Sequence, residues 1–152
     1  MYLLTTLFDF YVPFVLVSLC TAGLIYFVRN YRYAILFLTS LISGTVLVYL
    51  LKIFFNVNRP PDAVMSAFGQ SLPSYHATMA TIFFVMLMYI FDSHFKTPGR
   101  IVLNTFCISM IILVAFSRIY LGVHWTSDVL FGIFLGTFLS IISIKVFKSL
   151  KK

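Results

Sequence analysis

The chain has 152 residues, the length of a single domain, and is 61% hydrophobic but only 10% charged, with a mean hydropathy of +1.03. A soluble domain carries roughly 25% charged residues, so a water-facing globule and a disordered chain are both excluded, leaving an integral membrane protein. The charge is lopsided: 11 Lys and Arg stand against 4 acidic residues, all of them Asp, for a formal net charge of +7.

The basic residues form small groups between long apolar runs. That distribution argues against nucleic acid as a partner and for anionic lipid head groups and a phosphate-bearing substrate. Cys20 and Cys107 lie inside apolar runs, where they behave as small hydrophobes. The opening MYLLTTLFDF has no basic n-region and no small-residue cleavage site, so it is not expected to be a removable signal peptide.

A helical span needs about 20 mostly apolar residues. Five stretches qualify, at roughly 10–28, 33–55, 75–91, 100–117 and 125–147. They are continuously apolar and do not alternate, which implies helices and not a barrel. The expected fold is an all-α integral membrane bundle of about five transmembrane helices, forming one domain over 1–152. Gly132 and Gly136 in span five form a small-xxx-small pair. Such a pair marks either a dimer face or close packing inside the bundle, and the second reading is preferred.

Arg29 and Arg32 lie between spans one and two, Lys96 and Arg100 between spans three and four, and Lys145, Lys148, Lys151 and Lys152 close the chain. All eight fall on one side of a five-span topology. The positive-inside rule makes that side cytoplasmic, with the N-terminus outside, in a cell membrane crossed several times. The long linker 56–73 and the short one at 118–124 then lie on the outer face. Pro60 and Pro61 stop the second span, and Pro73 precedes the third.

Lys52, Arg59, His76, Arg118, His124 and Asp128 gather at the outer ends of the spans. Ionisable groups at such places are expensive and usually mark function. Taken singly, Lys52 could snorkel and the two arginines could hold lipid head groups; the joint occurrence on one face is harder to dismiss. Asp9 and Asp62, the other outer acids, read as solvated.

His124 and Asp128 are four residues apart, on one face if helical, so the carboxylate can hold the imidazole tautomer. Ser74 is placed as an N-cap, where free backbone N–H groups attract anions, and His76 sits in that first turn. Three cations suit a dianionic phosphate. The His–Asp pair suits a nucleophile, and the second His a general acid.

These residues resemble the type 2 phosphatidic acid phosphatase family of integral membrane lipid phosphate phosphatases. KIFFNVNRP (Lys52 to Pro60), PSYH (Pro73 to His76) and SRIYLGVHWTSD (Ser117 to Asp128) match its three motifs in order. The match covers about residues 50–130. The resemblance implies that His124 is the nucleophile forming a phosphohistidine, that Asp128 orients it, and that His76 protonates the leaving group. It implies that Lys52, Arg59 and Arg118 hold the phosphate, helped by Ser74, Tyr75 and nearby backbone N–H groups. Tyr75 stands where the family usually has Gly, so its ring must turn away or line the substrate path. Family members commonly have six spans; five are counted here.

No cofactor and no metal are implied: beyond His76 and His124 the chain has only His94, on the cytoplasmic side. The expected activity is dephosphorylation of a membrane lipid phosphate or diphosphate on the extracytoplasmic face. Undecaprenyl diphosphate, phosphatidylglycerophosphate, phosphatidate and lipid A phosphates are all compatible substrates. The alternative is a non-catalytic phospholipid-binding or lipid-transport protein. A serine hydrolase built on Ser74 is disfavoured, because no nucleophile-elbow sequence surrounds it.

Overall fold

The computed structural model describes residues 11–61, 63–64 and 69–150, the side chains of 11–13 aside. Asp9 and Asp62, read above as solvated, fall outside the described residues, as do Lys151 and Lys152. Five helices follow one another: α1 (Tyr11–Val28), α2 (Tyr31–Phe55), α3 (Tyr75–Phe91), α4 (Thr97–Tyr120) and α5 (Thr126–Ser149). Each matches a predicted span, with ends moved by at most three residues. No strand occurs among the described residues.

Three of the helices, α2, α4 and α5, are long and apolar enough to cross a membrane on their own. At 1.5 Å per residue they run about 36 Å or more, against a hydrocarbon core of about 30 Å. Their outward faces carry Ile42, Phe54, Val102, Ile112, Leu130 and Phe134, all well exposed, as a lipid-facing surface requires. The shorter α3 is the centre of the bundle. It packs on α5 most extensively, then on α4 and α2, while α1 leans on α2. Met79, Ile82, Met86 and Ile90 of α3 are fully buried, with Phe37 of α2 and Ile25 of α1 against them.

Gly132 and Gly136 explain the close approach of α5 to α3. A Cβ at Gly136 would stand 2.7 Å from the Thr78 carbonyl oxygen, and one at Gly132 would stand 2.9 Å from that of Ser74. Both glycines therefore serve packing inside the bundle, as preferred above, with a backbone atom as the obstacle in each case. Gly136→Ala is expected to lower the thermal midpoint in detergent, since the overpacking cost of about 1–3 kcal/mol exceeds the helix gain of up to about 1 kcal/mol. Gly23→Ala in α1, where a Cβ meets nothing within 4 Å, should leave the midpoint unchanged or raise it.

Because the chain runs up and down, the ends of α2 and α4 meet the starts of α3 and α5 at one end of the bundle. That end carries the 56–74 linker and the 121–125 turn. The other end carries the Arg29–Asn30 turn, the 92–96 turn and the end of α5.

Candidate active site

Local signals place each polar group. Asn56 ends α2 in the left-handed conformation, φ 46°, and its N–H closes on the Lys52 carbonyl. The linker then leaves the helix axis and folds back. Its return stretch is fastened by the Ser71 N–H on the Val57 carbonyl at 2.8 Å. Gly69, at φ +74°, makes the bend that this return requires. On the other side of the site, the Val64 N–H bonds the Leu121 carbonyl, and the Trp125 indole N–H bonds the Asn58 carbonyl at 3.0 Å.

His124 and Asp128 are both buried, 3% and 2% exposed at their side chains. The expectation that both sit on one helical face needs correcting. Helix α5 starts at Thr126 with Trp125 as its N-cap, so His124 precedes the helix and only Asp128 lies on it. His124 Nδ1 stands 3.6 Å from Asp128 Oδ2, beyond direct hydrogen-bond range. Ser71, which sequence reasoning missed, closes the gap. Its hydroxyl donates to Asp128 Oδ2, and its oxygen lies 3.3 Å from His124 Nδ1. The chain of contacts is carboxylate, serine hydroxyl, imidazole. The same Asp128 oxygen accepts the Trp125 N–H at 3.0 Å, which caps α5 and fixes the carboxylate.

The other imidazole nitrogen faces a cation: Arg59 Nη1 is 3.3 Å from His124 Nε2. A guanidinium has no acceptor, so this contact requires an unprotonated Nε2, with the ring proton on Nδ1 facing Ser71. Arg59 also donates from Nε to the Gly69 carbonyl at 2.9 Å and from Nη1 to the Val123 carbonyl at 2.7 Å. As expected from Pro60, Arg59 lies outside α2 and reaches back over its end. Lys52, in the last turn of α2, turns its ammonium to the carbonyls of Gln70 and Ser71. Two of its three N–H groups thus order the linker.

Arg118 is 3% exposed at the end of α4. Ser74 is the N-cap residue of α3, as expected, but its side chain makes no capping bond. Its buried hydroxyl has no hydrogen-bond partner among the described residues. The Ser74 N–H instead bonds the Asp128 carbonyl at 3.1 Å, tying α3 to α5. The Tyr75 ring packs edge-on against Phe14 of α1, with centroids 6.5 Å apart, which answers where it goes in place of the usual Gly. His76 stands beside it, half-buried in the first turn of α3.

His124 lies in the turn between α4 and α5, outside the spanning segments. Its burial first, and then the positive charges of Arg59, Lys52, His76 and Arg118, push its imidazole down to about 2. All four add positive potential at His124, and of them Arg59 is the one in contact with the ring. An unfolded imidazole takes a proton below about pH 6.5, while the folded, ligand-free one refuses it. The unfolded state then binds more protons, so stability falls as pH drops below that value. With only 4 acidic residues to add acid sensitivity, the thermal midpoint should fall between pH 7 and pH 5. The slope should flatten in His124→Asn.

Among the described residues no group of three His, Cys, Asp or Glu side chains gathers to hold a metal ion.

Fold and site together define a membrane-embedded helical bundle carrying a histidine in a cationic nest. The chain belongs to the PAP2 superfamily, whose family profile matches residues 32–152. It is 29% identical over 133 residues to an undecaprenyl-diphosphatase of Sulfolobus acidocaldarius, a match spanning 83% of this chain and 61% of that relative's length. It shares the fold of a crystal structure described as the first transmembrane PAP2 type phosphatidylglycerolphosphate phosphatase from Bacillus subtilis. The TM-score is 0.86 at 24% identity, over 99% of this chain and 77% of that one.

Proposed function

We propose that the chain is a lipid phosphate or diphosphate phosphatase working through a phosphohistidine on the extracytoplasmic face. The observation that carries the reading is a buried His124 set between the Arg59 guanidinium at 3.3 Å from one ring nitrogen and the Ser71–Asp128 pair on the other. Family membership and the two phosphatase relatives support it.

In this reading the substrate phosphate sits beside Arg59, Arg118 and Lys52, on the Nε2 side of His124. The Nε2 lone pair forms the N–P bond as the bond from phosphorus to the departing lipid oxygen breaks. His76 gives that oxygen its proton. The ring, now cationic, keeps its Nδ1 proton toward Ser71 and Asp128, whose negative charge stabilises it. Water then attacks the phosphorus and returns a proton to His76; the N–P bond breaks, releasing phosphate and the free imidazole. The three cations offset charge on the transferring phosphoryl group, which is most of what such a transfer demands.

The face assignment rests on charge. Arg29, Arg32, Lys96, Arg100, Lys145 and Lys148 lie at the end of the bundle opposite His124, which makes that end cytoplasmic. The substrate classes are those named from the sequence: undecaprenyl diphosphate, phosphatidylglycerophosphate, phosphatidate and lipid A phosphates. Phosphate release from that panel by the purified protein, with and without chelator, tests the reading. Turnover unaffected by chelator is expected. Chelator-sensitive turnover, or none on any lipid phosphate, contradicts it.

A further inference from the structure

A cavity of about 540 Å³ opens at the end of the bundle away from His124. Its walls include Arg29 just past α1, Tyr33 of α2, Tyr89 of α3, Ser93, Asn104 of α4 and Lys148 of α5. A pocket of this size accommodates a small ligand or a head group. It belongs to no part of the chemistry above.

Its walls are built for an anion. The Arg29 guanidinium lies over the Tyr33 ring, 5.2 Å from the centroid, and donates to the Ser93 hydroxyl at 2.8 Å. The Lys148 ammonium lies 5.5 Å over the Tyr89 ring. Each cation is thus held at the cavity wall by an aromatic face. The one acid there, Asp92, is engaged by Arg100 at 3.2 Å, so the two cations keep their surplus. Two buried polar atoms stand without a hydrogen-bond partner among the described residues: the Arg29 Nε–H and the Asn104 Oδ1. This donor and this acceptor belong to two residues that line one cavity, and buried groups without partners there call for a ligand that offers both. Phosphate oxygens satisfy Arg29 and Lys148, and a hydroxyl satisfies Asn104.

We propose that this cavity binds a phosphoglyceride head group, phosphate toward Arg29 and Lys148 and a glycerol hydroxyl toward Asn104, in the leaflet opposite the candidate active site. Tyr33 and Tyr89 each lie two residues from the cavity-side end of their helix, the kind of position at which interfacial tyrosines meet head groups. The contents of the cavity are a retained lipid, not a substrate.

The test uses the full chain in detergent, with lipid retention read by native mass spectrometry after exchange into phosphatidylglycerol or phosphatidylcholine. One phosphatidylglycerol per chain should survive delipidation steps that remove phosphatidylcholine. Lys148→Glu, at an exposed position that leaves the packing alone, should weaken retention about tenfold, and Arg29→Gln with Lys148→Glu should abolish it. Neither variant should change phosphate release measured in phosphatidylcholine micelles by more than about twofold. Glycerol 3-phosphate supplies the other arm. Displacement of the lipid by millimolar glycerol 3-phosphate assigns the affinity to the head group alone, and failure to displace assigns it to the anchored lipid; both keep the phosphate site. Equal retention of the two lipids by the wild type, or phosphatidylglycerol retention unchanged in both variants, overturns the proposal.

Discussion

His124→Ala is expected to abolish phosphate release, with a loss of about 10³-fold or more, while the helical spectrum in detergent stays that of the parent and the thermal midpoint falls only by the loss of one buried side chain. The size of the effect follows from the role. A nucleophile that forms a covalent intermediate has no substitute in the site, and removing such a group from an enzyme leaves only the catalysis due to binding and charge. His124 sits in the turn before α5 and not in a helix–helix seam, so the bundle should still assemble without its buried contacts to Arg59 and Ser71. A variant that folds and still turns over at the parental rate would leave the cationic nest as a binding site and favour the non-catalytic alternative.

Asp128→Asn is the second large effect, expected at about 10²–10⁴-fold in kcat. The amide oxygen in the Oδ2 position can still accept both the Trp125 N–H and the Ser71 hydroxyl, so the cap of α5 survives and the variant should fold. What is lost is the negative charge behind the Ser71–His124 contact, which stabilises the imidazole as it becomes cationic on taking the phosphoryl group. Ser71→Ala should cost about tenfold, since the carboxylate remains and only the bridging hydroxyl is lost. The double variant should be little worse than Asp128→Asn alone, because both act through one imidazole. Full additivity of the two losses would show that Ser71 acts elsewhere.

The relation of sequence to structure differs from residue to residue. The helices are legible because each apolar run is long, carries few charges and does not alternate. The three cations and two histidines were legible because a charge beside an apolar span needs a reason. Ser71 was not legible. It is a serine in a linker full of small polar residues, and nothing adjacent marks it. Its role arises only when the linker folds back, fastened by Val57, Lys52 and Arg59, and brings residue 71 against residues 124 and 128. The His–Asp geometry departs from its sequence spacing for a related reason. A spacing of four residues reads as one helical face, but the capping of α5 by Asp128 itself sets the helix start after His124. The Gly132–Gly136 pair was ambiguous in sequence because close packing inside a bundle and between copies demand the same small residues. The neighbours Thr78 and Thr81 decide for the interior.

The most direct measurement is acid–base mapping of the phosphoryl group during turnover. The full-length protein is mixed with a lipid phosphate carrying labelled phosphorus and quenched within the first turnover, and the label is located by mass spectrometry. Label that is stable to base, released by acid and carried by His124 is the expected result. Label on Ser71 or Ser74, or steady turnover with no covalent label on the protein, would contradict the phosphohistidine.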